Sequence, residues 1–230
     1  MKLNKSTVIL TLSLLVGIIF FLLYQKYQEL NKQTTDAIQS IPINAALIVE
    51  SENWSSTLNE LENTLIWKTV SNSEDWAGIK KTIESISLKF QANDQLKHFI
   101  DNKKLYLSFH HSTNDFYIFL STACNNEELK LIEMNDTLIG SFKSREYDGV
   151  KVYELENNWN LCHHKDILFM SSSSLLIEDG IRQLNNEISL LDNTEFTKVQ
   201  STKSTFAGAH IYTNYSNLSK LLSQNTKLSK

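Results

Sequence analysis

The sequence has few of the residues that interrupt regular structure, with one proline and six glycines among 230 residues. That scarcity excludes collagen-like structure and low-complexity disorder. The glycines are too scattered for a phosphate-binding loop or a dinucleotide fingerprint. The formal net charge is −4 and no run of Lys or Arg exceeds two residues, so the basic stripe of a nucleic-acid-binding surface is also missing.

Cysteine is scarce as well. Cys124 and Cys162 are the only two, and no C-x-x-C pair occurs, which leaves thiolate zinc sites and thioredoxin-like chemistry without support. The two cysteines could form a disulfide if the body of the protein lies outside the cytoplasm. We favour two separate, partly buried thiols, because a chain of this length can form its own core.

An apolar stretch near the N terminus is the strongest positive feature. Residues 7–24 span 18 positions without a charge, which corresponds to about 27 Å of helix against a hydrocarbon core of about 30 Å. Lys2 and Lys5 precede it, and bulky residues follow it in place of the small-residue cleavage site of a signal peptide. We therefore predict an uncleaved transmembrane helix with its N terminus in the cytoplasm.

This helix divides the chain into predicted parts. They are a cytoplasmic N terminus (1–6), a transmembrane anchor (7–24), a juxtamembrane helix or stalk (25–41), an extracytoplasmic α+β domain (42–206) and the start of a second, truncated unit (207–230). The last part is inferred because "AGAHIYTNYSNLSKLL" repeats the order of "NAALIVESENWSSTLNEL", an apolar strand followed by a polar turn and a helix start. The strand at 209–214 is then expected to join the sheet of the first unit and to bury Ile211.

Hydrophobic spacing predicts the fold of the body. Apolar residues recur at intervals of three and four from Trp76 to Phe90, as on one face of a helix. The period changes to two in "KLYLSFHH" and "DFYIFLS", which predicts strands, and Asp148-Gly149 is a strong signal for a two-residue hairpin. Helices followed by antiparallel strands indicate an α+β fold, in which an antiparallel sheet packs with helices.

Four consecutive serines lie between a predicted strand and a predicted helix in "LFMSSSSLLIEDGIRQL". A hydrolase nucleophile would lie in G-x-S-x-G or in a Ser-x-x-Lys pair, and neither is present. Serine is a preferred helix N-cap, because its hydroxyl accepts a hydrogen bond from an unpaired backbone N–H. We therefore predict that one of Ser172, Ser173 and Ser174 caps a helix that begins near Leu175. Gly180, in mid-helix, is predicted to mark a close approach to another element.

Two histidine pairs, His110-His111 and His163-His164, lie at predicted strand ends. Adjacent residues on a strand point to opposite faces, so at most one histidine of each pair can face a shared ligand. No H-E-x-x-H or H-x-H motif is present. A metal site would need one histidine from each pair to meet across the sheet beside a carboxylate. Polar strand ends are the simpler interpretation.

Three segments carry a resemblance to a known family: "IPINAALIVE", "SREYDGVKVYEL" and "FMSSSSLLIEDGIRQL". Over roughly residues 41–222 the chain resembles the bacterial domain-of-unknown-function family 3352, whose members carry one N-terminal membrane anchor and are usually much longer. The resemblance implies a bacterial envelope protein of unknown function. Together with the predicted anchor, this gives the expectation of a single-pass protein of the bacterial inner membrane with its C-terminal body in the periplasm. The shared features are structural motifs, so they transfer no functional residue.

The sequence as a whole predicts a non-enzymatic binding or scaffold domain. It offers no convergent catalytic residues, no cofactor motif and no metal-ligand motif. The expected partners are the lipid bilayer, through residues 7–24, and a protein of the envelope, but not a nucleic acid. Two alternatives stay open. One is a serine hydrolase that combines the turn of Ser171, Ser172, Ser173 and Ser174 with His163 or His164. The other is a weak metal-binding module on the histidine pairs.

Overall fold

The computed structural model describes residues 17–22, 24, 36–64, 81, 84, 88, 94–112, 116–133, 143–155, 158–204 and 206–225. The chain forms two compact units, Met1–Thr34 and Thr35–Lys230. In the first unit the described residues are helical and exposed. The sheet and the helices described below belong to the second unit.

The predicted transmembrane helix is corrected by the structure. In the part of the chain that is described, no helix is both long and apolar enough to cross a bilayer. Residues 7–16 and 23 lie outside the described residues, as does most of the predicted helix from Trp76 to Phe90. The predicted location and the lipid contact through residues 7–24 stay predictions.

The second unit contains eight strands and six α-helices among its described residues. The strands are β1 (Leu47–Ser51), β2 (Leu105–His111), β3 (Phe116–Ala123), β4 (Lys143–Tyr147), β5 (Val150–Glu154), β6 (Asn160–His164), β7 (Ile167–Ser171) and β8 (Ala209–Thr213). The helices are α1 (Trp54–Asn63), α2 (Asp94–Asp101), α3 (Asn126–Glu133), α4 (Ser174–Asn186), α5 (Thr194–Ser201) and α6 (Tyr215–Asn225), with short 3-10 helices at Ala37–Ser40 and Leu190–Asp192.

All eight strands form one antiparallel sheet in the order β4-β5-β6-β7-β3-β2-β1-β8. The α+β class and the antiparallel sheet are therefore confirmed. Strand β8 joins the sheet, as predicted, and its partner is β1. The predicted burial of Ile211 is wrong, because Ile211 is 61% exposed and Tyr212 is the buried residue of this strand. Neighbouring residues of a strand face opposite sides of the sheet, and the covered side at β8 is the one that Tyr212 faces.

Two hairpins have two-residue turns in which both residues have positive φ, the conformation that matches the right-handed twist of the flanking strands. Asp148 and Gly149 have φ of 51° and 74°, and they join β4 to β5 as the predicted two-residue turn. Lys165 and Asp166, with φ of 50° and 60°, join β6 to β7 in the same way. The second turn contains no glycine, so its sequence gives a weaker signal.

One face of the sheet is covered by the Ala37–Ser40 helix and by α4. Ile38 packs with Ile177 and Ile181 of α4, and these side chains form one buried cluster with Phe119 and Phe169 of the sheet. The rings of the two phenylalanines stack with centroids 5.5 Å apart. This layer fixes α4 against the sheet, and α4 supplies half of the residues that line the candidate site.

Gly180 lets α4 approach this layer closely. A Cβ added at Gly180 would stand 3.0 Å from the carbonyl oxygen of Ser40 and 3.2 Å from the ring of Phe119. Both distances are shorter than an ordinary van der Waals contact. The predicted role of Gly180 as the point of close approach is confirmed.

The opposite face of the sheet is covered by α1 and α2. Trp54 and Leu58 of α1 and Ile100 of α2 are buried in one cluster with Leu107 and Leu120 of the sheet. Both faces of the central strands are therefore buried, and β2 is buried at six of its seven positions. A sheet covered on both sides holds the loops at its ends in fixed positions.

Candidate binding cleft

An open cleft of about 250 Å³ lies beside α4, where the loop at residues 42–44 faces the C-terminal half of this helix. Ile43, on the loop, and Ile188, just beyond the end of α4, are 55% and 51% exposed. The remaining lining residues are Pro42, Asn44, Asp179, Arg182, Gln183 and Asn186. The cleft therefore presents two exposed aliphatic side chains beside amides and one ion pair.

The two charged residues of the cleft neutralise each other. Arg182 forms an ion pair with Asp179 one turn earlier on α4. The hydrogen bond with Asp179 and the charge of that carboxylate raise the pKa of the Arg182 guanidinium above its ordinary value. The other lining side chains are aliphatic or carry neutral amides, so the surface of the cleft has no net charge.

Gln183 ties the loop to the helix. Its Oε1 accepts a hydrogen bond from the Ile43 backbone nitrogen at 2.9 Å, and its Nε2 donates to the carbonyl oxygen of Ile41 at 2.7 Å. The residue is only 9% exposed. Because both ends of the amide are engaged, the loop and α4 are held in one geometry.

Asn44 is tied to the interior of the sheet through His110. The Oδ1 of Asn44 lies 2.9 Å from Nδ1 of His110, and Nε2 of His110 lies 2.9 Å from the Oγ of Ser108. An amide oxygen only accepts hydrogen bonds, so Nδ1 carries the proton and Nε2 accepts from Ser108. The neutral imidazole of His110 therefore fixes the loop at residues 42–44 to the sheet.

Burial keeps this imidazole neutral. His110 is 1% exposed, and desolvation lowers the pKa of its side chain to about 3. The neutral tautomer is also the form that the contacts with Asn44 and Ser108 require. His110 therefore acts as a neutral bridge between the sheet and the loop over the physiological pH range.

Ser108, His110 and Asn44 have the connectivity of a nucleophile, a general base and a group that orients the base. The order of donors is the same as in a catalytic triad. Ser108 is completely buried, however, and its Oγ also lies 3.3 Å from the carbonyl oxygen of Phe119. A substrate carbonyl cannot reach a hydroxyl enclosed in this way, so we interpret the arrangement as a structural hydrogen-bond chain.

The serine turn occupies the predicted junction, with one correction. Ser173 is the N-cap of α4 by position, but its side chain makes no capping hydrogen bond. The Oγ of Ser171 instead accepts from the Ser173 backbone nitrogen at 3.0 Å and donates to the carbonyl oxygen of Ile118 at 2.7 Å. The predicted side-chain cap is wrong, because Ser171, one turn before the helix, supplies the acceptor that fixes this junction.

The histidines proposed for a hydrolase lie at the other end of the β6–β7 hairpin. Ser171 pairs with Asn160, whereas His164 pairs with Ile167, four residues or about 13 Å further along the strand. His163 is hydrogen-bonded through Nε2 to the carbonyl oxygen of Cys124, and His164 through Nε2 to Asn185. The structure does not bring the serine turn and these histidines together.

The two histidine pairs are also kept apart. Strands β2 and β6, which carry them, are separated in the sheet by β3 and β7. Among the residues described here, no group of three or more His, Cys, Asp or Glu side chains is placed to hold a metal ion.

Both cysteines are free and buried. Cys162 belongs to the cluster beneath α4, and Cys124 packs with Ile132 of α3 in a separate cluster. Burial raises the pKa of each thiol to about 12. They are therefore separate and unreactive thiols, in agreement with the favoured prediction.

A buried carboxylate forms a second polar cluster, on β1. Glu50 is completely buried, and its carboxylate accepts from the Tyr212 hydroxyl at 2.6 Å and from Nζ of Lys203 at 2.9 Å. Nζ of Lys104 lies 3.3 Å away. Burial opposes ionisation, but these partners outweigh it and hold the pKa of Glu50 below its ordinary value. The carboxylate is occupied by contacts of the fold itself, which indicates a structural role.

The chain is similar in fold to TP0453, seen in three crystal forms. For form I the identity is 14% and the TM-score 0.42, with 79% of this chain and 63% of that chain covered. For form III the identity is 14% and the TM-score 0.38, with 79% of this chain and 64% of that chain covered. For form IV the identity is 16% and the TM-score 0.38, with 79% of this chain and 65% of that chain covered. The chain thus spans less than two thirds of the TP0453 chain, and a likeness this weak carries no functional argument. No protein-family model and no curated protein matches the chain, so the resemblance to family 3352 stays a prediction.

Among the residues that form and support the cleft, His110 stands out in the sequence as a member of a histidine pair, which suggested a polar strand end or a metal ligand and not a support for the loop. Two features of the sequence could have pointed to the cleft. They are the single proline, at position 42, and the placement of Ser108 and His110 on one face of a predicted strand. Neither signal indicates Gln183 or Ile188, which lie about 140 residues after Pro42 and more than 70 residues after His110.

Proposed function

We propose that this chain is a non-enzymatic binding domain whose cleft beside α4 receives an extended peptide segment of a partner protein. One observation carries the proposal. Two exposed isoleucines, Ile43 and Ile188, flank a cleft whose loop is fixed by hydrogen bonds to the buried residues Gln183 and His110. A preformed site costs little ordering free energy when a ligand binds.

The chemistry of the cleft favours a peptide over a charged metabolite. Arg182 and Asp179 satisfy each other, so the cleft offers no unpaired charge to an anion or a cation. Asn44 uses its Oδ1 for His110, which leaves its amide nitrogen available as a donor to a peptide carbonyl, and Asn186 is exposed beside it. Amide groups paired with aliphatic side chains match a neutral main chain that carries an apolar residue.

The size of the cleft also favours a peptide over a small molecule that is enclosed by the protein. About 250 Å³ is below the roughly 300–1,000 Å³ of pockets that enclose a drug-sized ligand. An open cleft of this size suits a ligand that lies across it and inserts one apolar side chain. Peptide recognition commonly uses this combination of main-chain hydrogen bonds and a side-chain pocket.

The proposal is tested by selecting a phage-displayed library of random twelve-residue peptides against the full chain. Peptides that bind the cleft should keep their affinity for the Val199→Asp variant, in which a similarly exposed residue of α5 is changed (Val199 is 56% exposed). They should lose tenfold or more in affinity for Ile43→Asp and for Ile188→Asp. Thermal unfolding of the three variants tests whether each remains folded. Failure to enrich any peptide, or peptides that ignore both cleft substitutions, would contradict the proposal.

One alternative has a specific observation in its favour. The Ser108–His110–Asn44 chain has hydrogen-bonding distances of 2.9 Å at both steps, and these match the contacts of a nucleophile with its base and of the base with an orienting group. A fluorophosphonate probe, which reacts with activated serines, distinguishes the two functions. We expect no labelling, because Ser108 is enclosed. Labelling of Ser108 that disappears in His110→Ala would establish the hydrolase and displace the binding domain.

A further inference from the structure

Strand β8 forms one end of the sheet in the described part of the chain. It pairs with β1 on one side, and no described strand pairs with its other side. The backbone nitrogen of Glu52 donates to the carbonyl oxygen of Gly208, and that of Asn214 donates to the carbonyl oxygen of Ala46. Even-numbered residues of β8 therefore direct their backbone groups towards β1. By alternation, those of Ala209, Ile211 and Thr213 point away from the sheet.

This edge lacks the features that usually keep sheet edges apart. Natural edge strands carry charges or proline that prevent pairing with another chain. The segment from residue 206 to residue 214 contains no Lys, Arg, Asp, Glu or Pro. At the other end of the sheet, β4 carries Lys143, Arg145 and Glu146 in five residues. Charge therefore protects the β4 edge from a second copy and leaves the β8 edge open to one.

Exposed apolar side chains surround the same edge. Phe206 is 97% exposed, Ile211 is 61% exposed and Tyr215 is 81% exposed. They lie before, within and just after β8. Scattered exposed apolar residues need no explanation, but three within ten residues along an unpaired edge indicate a surface that is covered in an assembly.

We propose that a second copy of this chain binds at this edge, with the two β8 strands antiparallel about a twofold axis at Ile211. In this register Ile211 lies opposite its own copy, and Ala209 lies opposite Thr213 of the copy. All three residues point their backbone groups outwards, so the pairing forms about six main-chain hydrogen bonds and leaves none of these groups unmatched. The strand is thus complementary to itself, as a twofold contact requires.

The same register brings the flanking aromatic residues together. Residue 207 lies opposite residue 215 of the copy, which places Phe206 of one copy beside Tyr215 of the other at each end of the paired strands. The uncharged segment brings no like charges into contact. Two strands of five residues form a small contact, so we expect a dimer that dissociates on dilution.

Sedimentation equilibrium of the full chain over a hundredfold range of concentration tests the proposal. The weight-average mass of the wild type should rise from one chain towards two. Ile211→Lys, which places two charges opposite each other at the twofold axis, should stay monomeric at every concentration. The matched control is Val199→Lys, at a similarly exposed residue outside β8, and it should dimerise as the wild type does. A wild type that stays monomeric, or equal effects of the two substitutions, would overturn the proposal.

Disulfide trapping tests the register independently. In the proposed register Ile211 and its copy form a hydrogen-bonded antiparallel pair, in which the Cα atoms lie about 5.5 Å apart, and this distance is within the range for a disulfide bond. Ile211→Cys should therefore form a covalent dimer under mild oxidation. His210→Cys should not, because residue 210 lies opposite residue 212 of the copy. The native thiols at Cys124 and Cys162 are buried and do not interfere. Equal cross-linking of the two variants would exclude the twofold register.

Discussion

Gly180 of α4 lies against the backbone of Ser40, and a Cβ at Gly180 would stand only 3.0 Å from the Ser40 carbonyl oxygen. The contact joins the two elements that cover one face of the sheet, and α4 also forms the main wall of the cleft. A glycine in the middle of a helix is unfavourable by about 1 kcal/mol relative to alanine. Its presence here is explained by the distance between the two backbones.

Replacing Gly180 with alanine should therefore destabilise the protein, although alanine is the better helix former. The added methyl group must push α4 away from Ser40 and from the ring of Phe119. We expect a net loss of about 1–3 kcal/mol in the free energy of unfolding, as in other overpacked cores. Urea unfolding measures it. Gly208→Ala is the control, because a Cβ there meets nothing within 4 Å. A stabilised Gly180→Ala protein would show that the helix can shift without cost.

Burial of His110 should make the protein less stable in mild acid. Its side-chain pKa is lowered to about 3 in the folded state, against about 6.5 in the unfolded chain. The contribution of His110 to stability is thus fully present above pH 6.5 and is lost progressively as the pH falls towards 3, because only the unfolded chain takes up the proton. At pH 5 the expected loss is about 2 kcal/mol.

The pH dependence of His110→Gln gives the comparison. The variant keeps a polar side chain at the position but cannot titrate, so its free energy of unfolding should fall less between pH 7 and pH 5 than that of the wild type. The difference in slope should correspond to the uptake of about one proton. Parallel profiles for the two proteins would mean that His110 is protonated as readily in the folded state as in the unfolded chain.

How far the sequence predicts this structure is clearest at β2. The alternation in "KLYLSFHH" predicts the strand and places Leu105, Leu107 and Phe109 on one face, and in the structure these three residues are buried in one cluster. It also implies a polar, exposed opposite face. In the structure Tyr106, Ser108 and His110 are equally buried. The Ala37–Ser40 helix packs against this face of β2, and the hydroxyl of Tyr106 donates a hydrogen bond to Asp36 just before that helix.

The candidate site is less predictable than the strands for the same reason. Local periodicity identifies elements, but the cleft depends on the meeting of residues 42–44 with α4, which are far apart in sequence. The buried polar residues on this face satisfy one another, as His110 does with Ser108 and Asn44. Such pairs become visible only when the tertiary contacts are known.

Lys203 should stabilise the fold through the buried carboxylate of Glu50. Its Nζ lies 2.9 Å from the carboxylate, and the side chain is one-third exposed, so solvent screens part of the interaction. Lys203→Ala leaves Glu50 with Lys104 and Tyr212 as partners, and we expect a loss of about 1–3 kcal/mol in the free energy of unfolding. Lys198→Ala, at an exposed position of α5, should change it by less than about 0.5 kcal/mol.

The loss of stability caused by Lys203→Ala should also depend on whether residue 50 carries an ionised carboxylate, and therefore on pH. The pKa of Glu50 is held below its ordinary value, so its contribution is present above the unfolded value of about 4.3 and is lost as the pH falls through the folded value. In the Glu50→Gln background, which has no carboxylate to pair, Lys203→Ala should cost less than in the wild type. Equal costs in the two backgrounds would show that the contact contributes nothing to stability.

The serine turn provides a direct test of where the junction before α4 is held. Ser171→Ala removes the acceptor of the Ser173 backbone nitrogen and the donor to the Ile118 carbonyl oxygen, both at a buried position. Buried polar groups left without partners cost about 1–3 kcal/mol, so this variant should unfold at a clearly lower urea concentration. Ser173→Ala removes a hydroxyl that makes no capping hydrogen bond, and it should change the free energy of unfolding by no more than about 0.5 kcal/mol. If Ser173→Ala were the more damaging change, the helix would be capped by the Ser173 side chain in solution and Ser171 would not be the residue that fixes the junction.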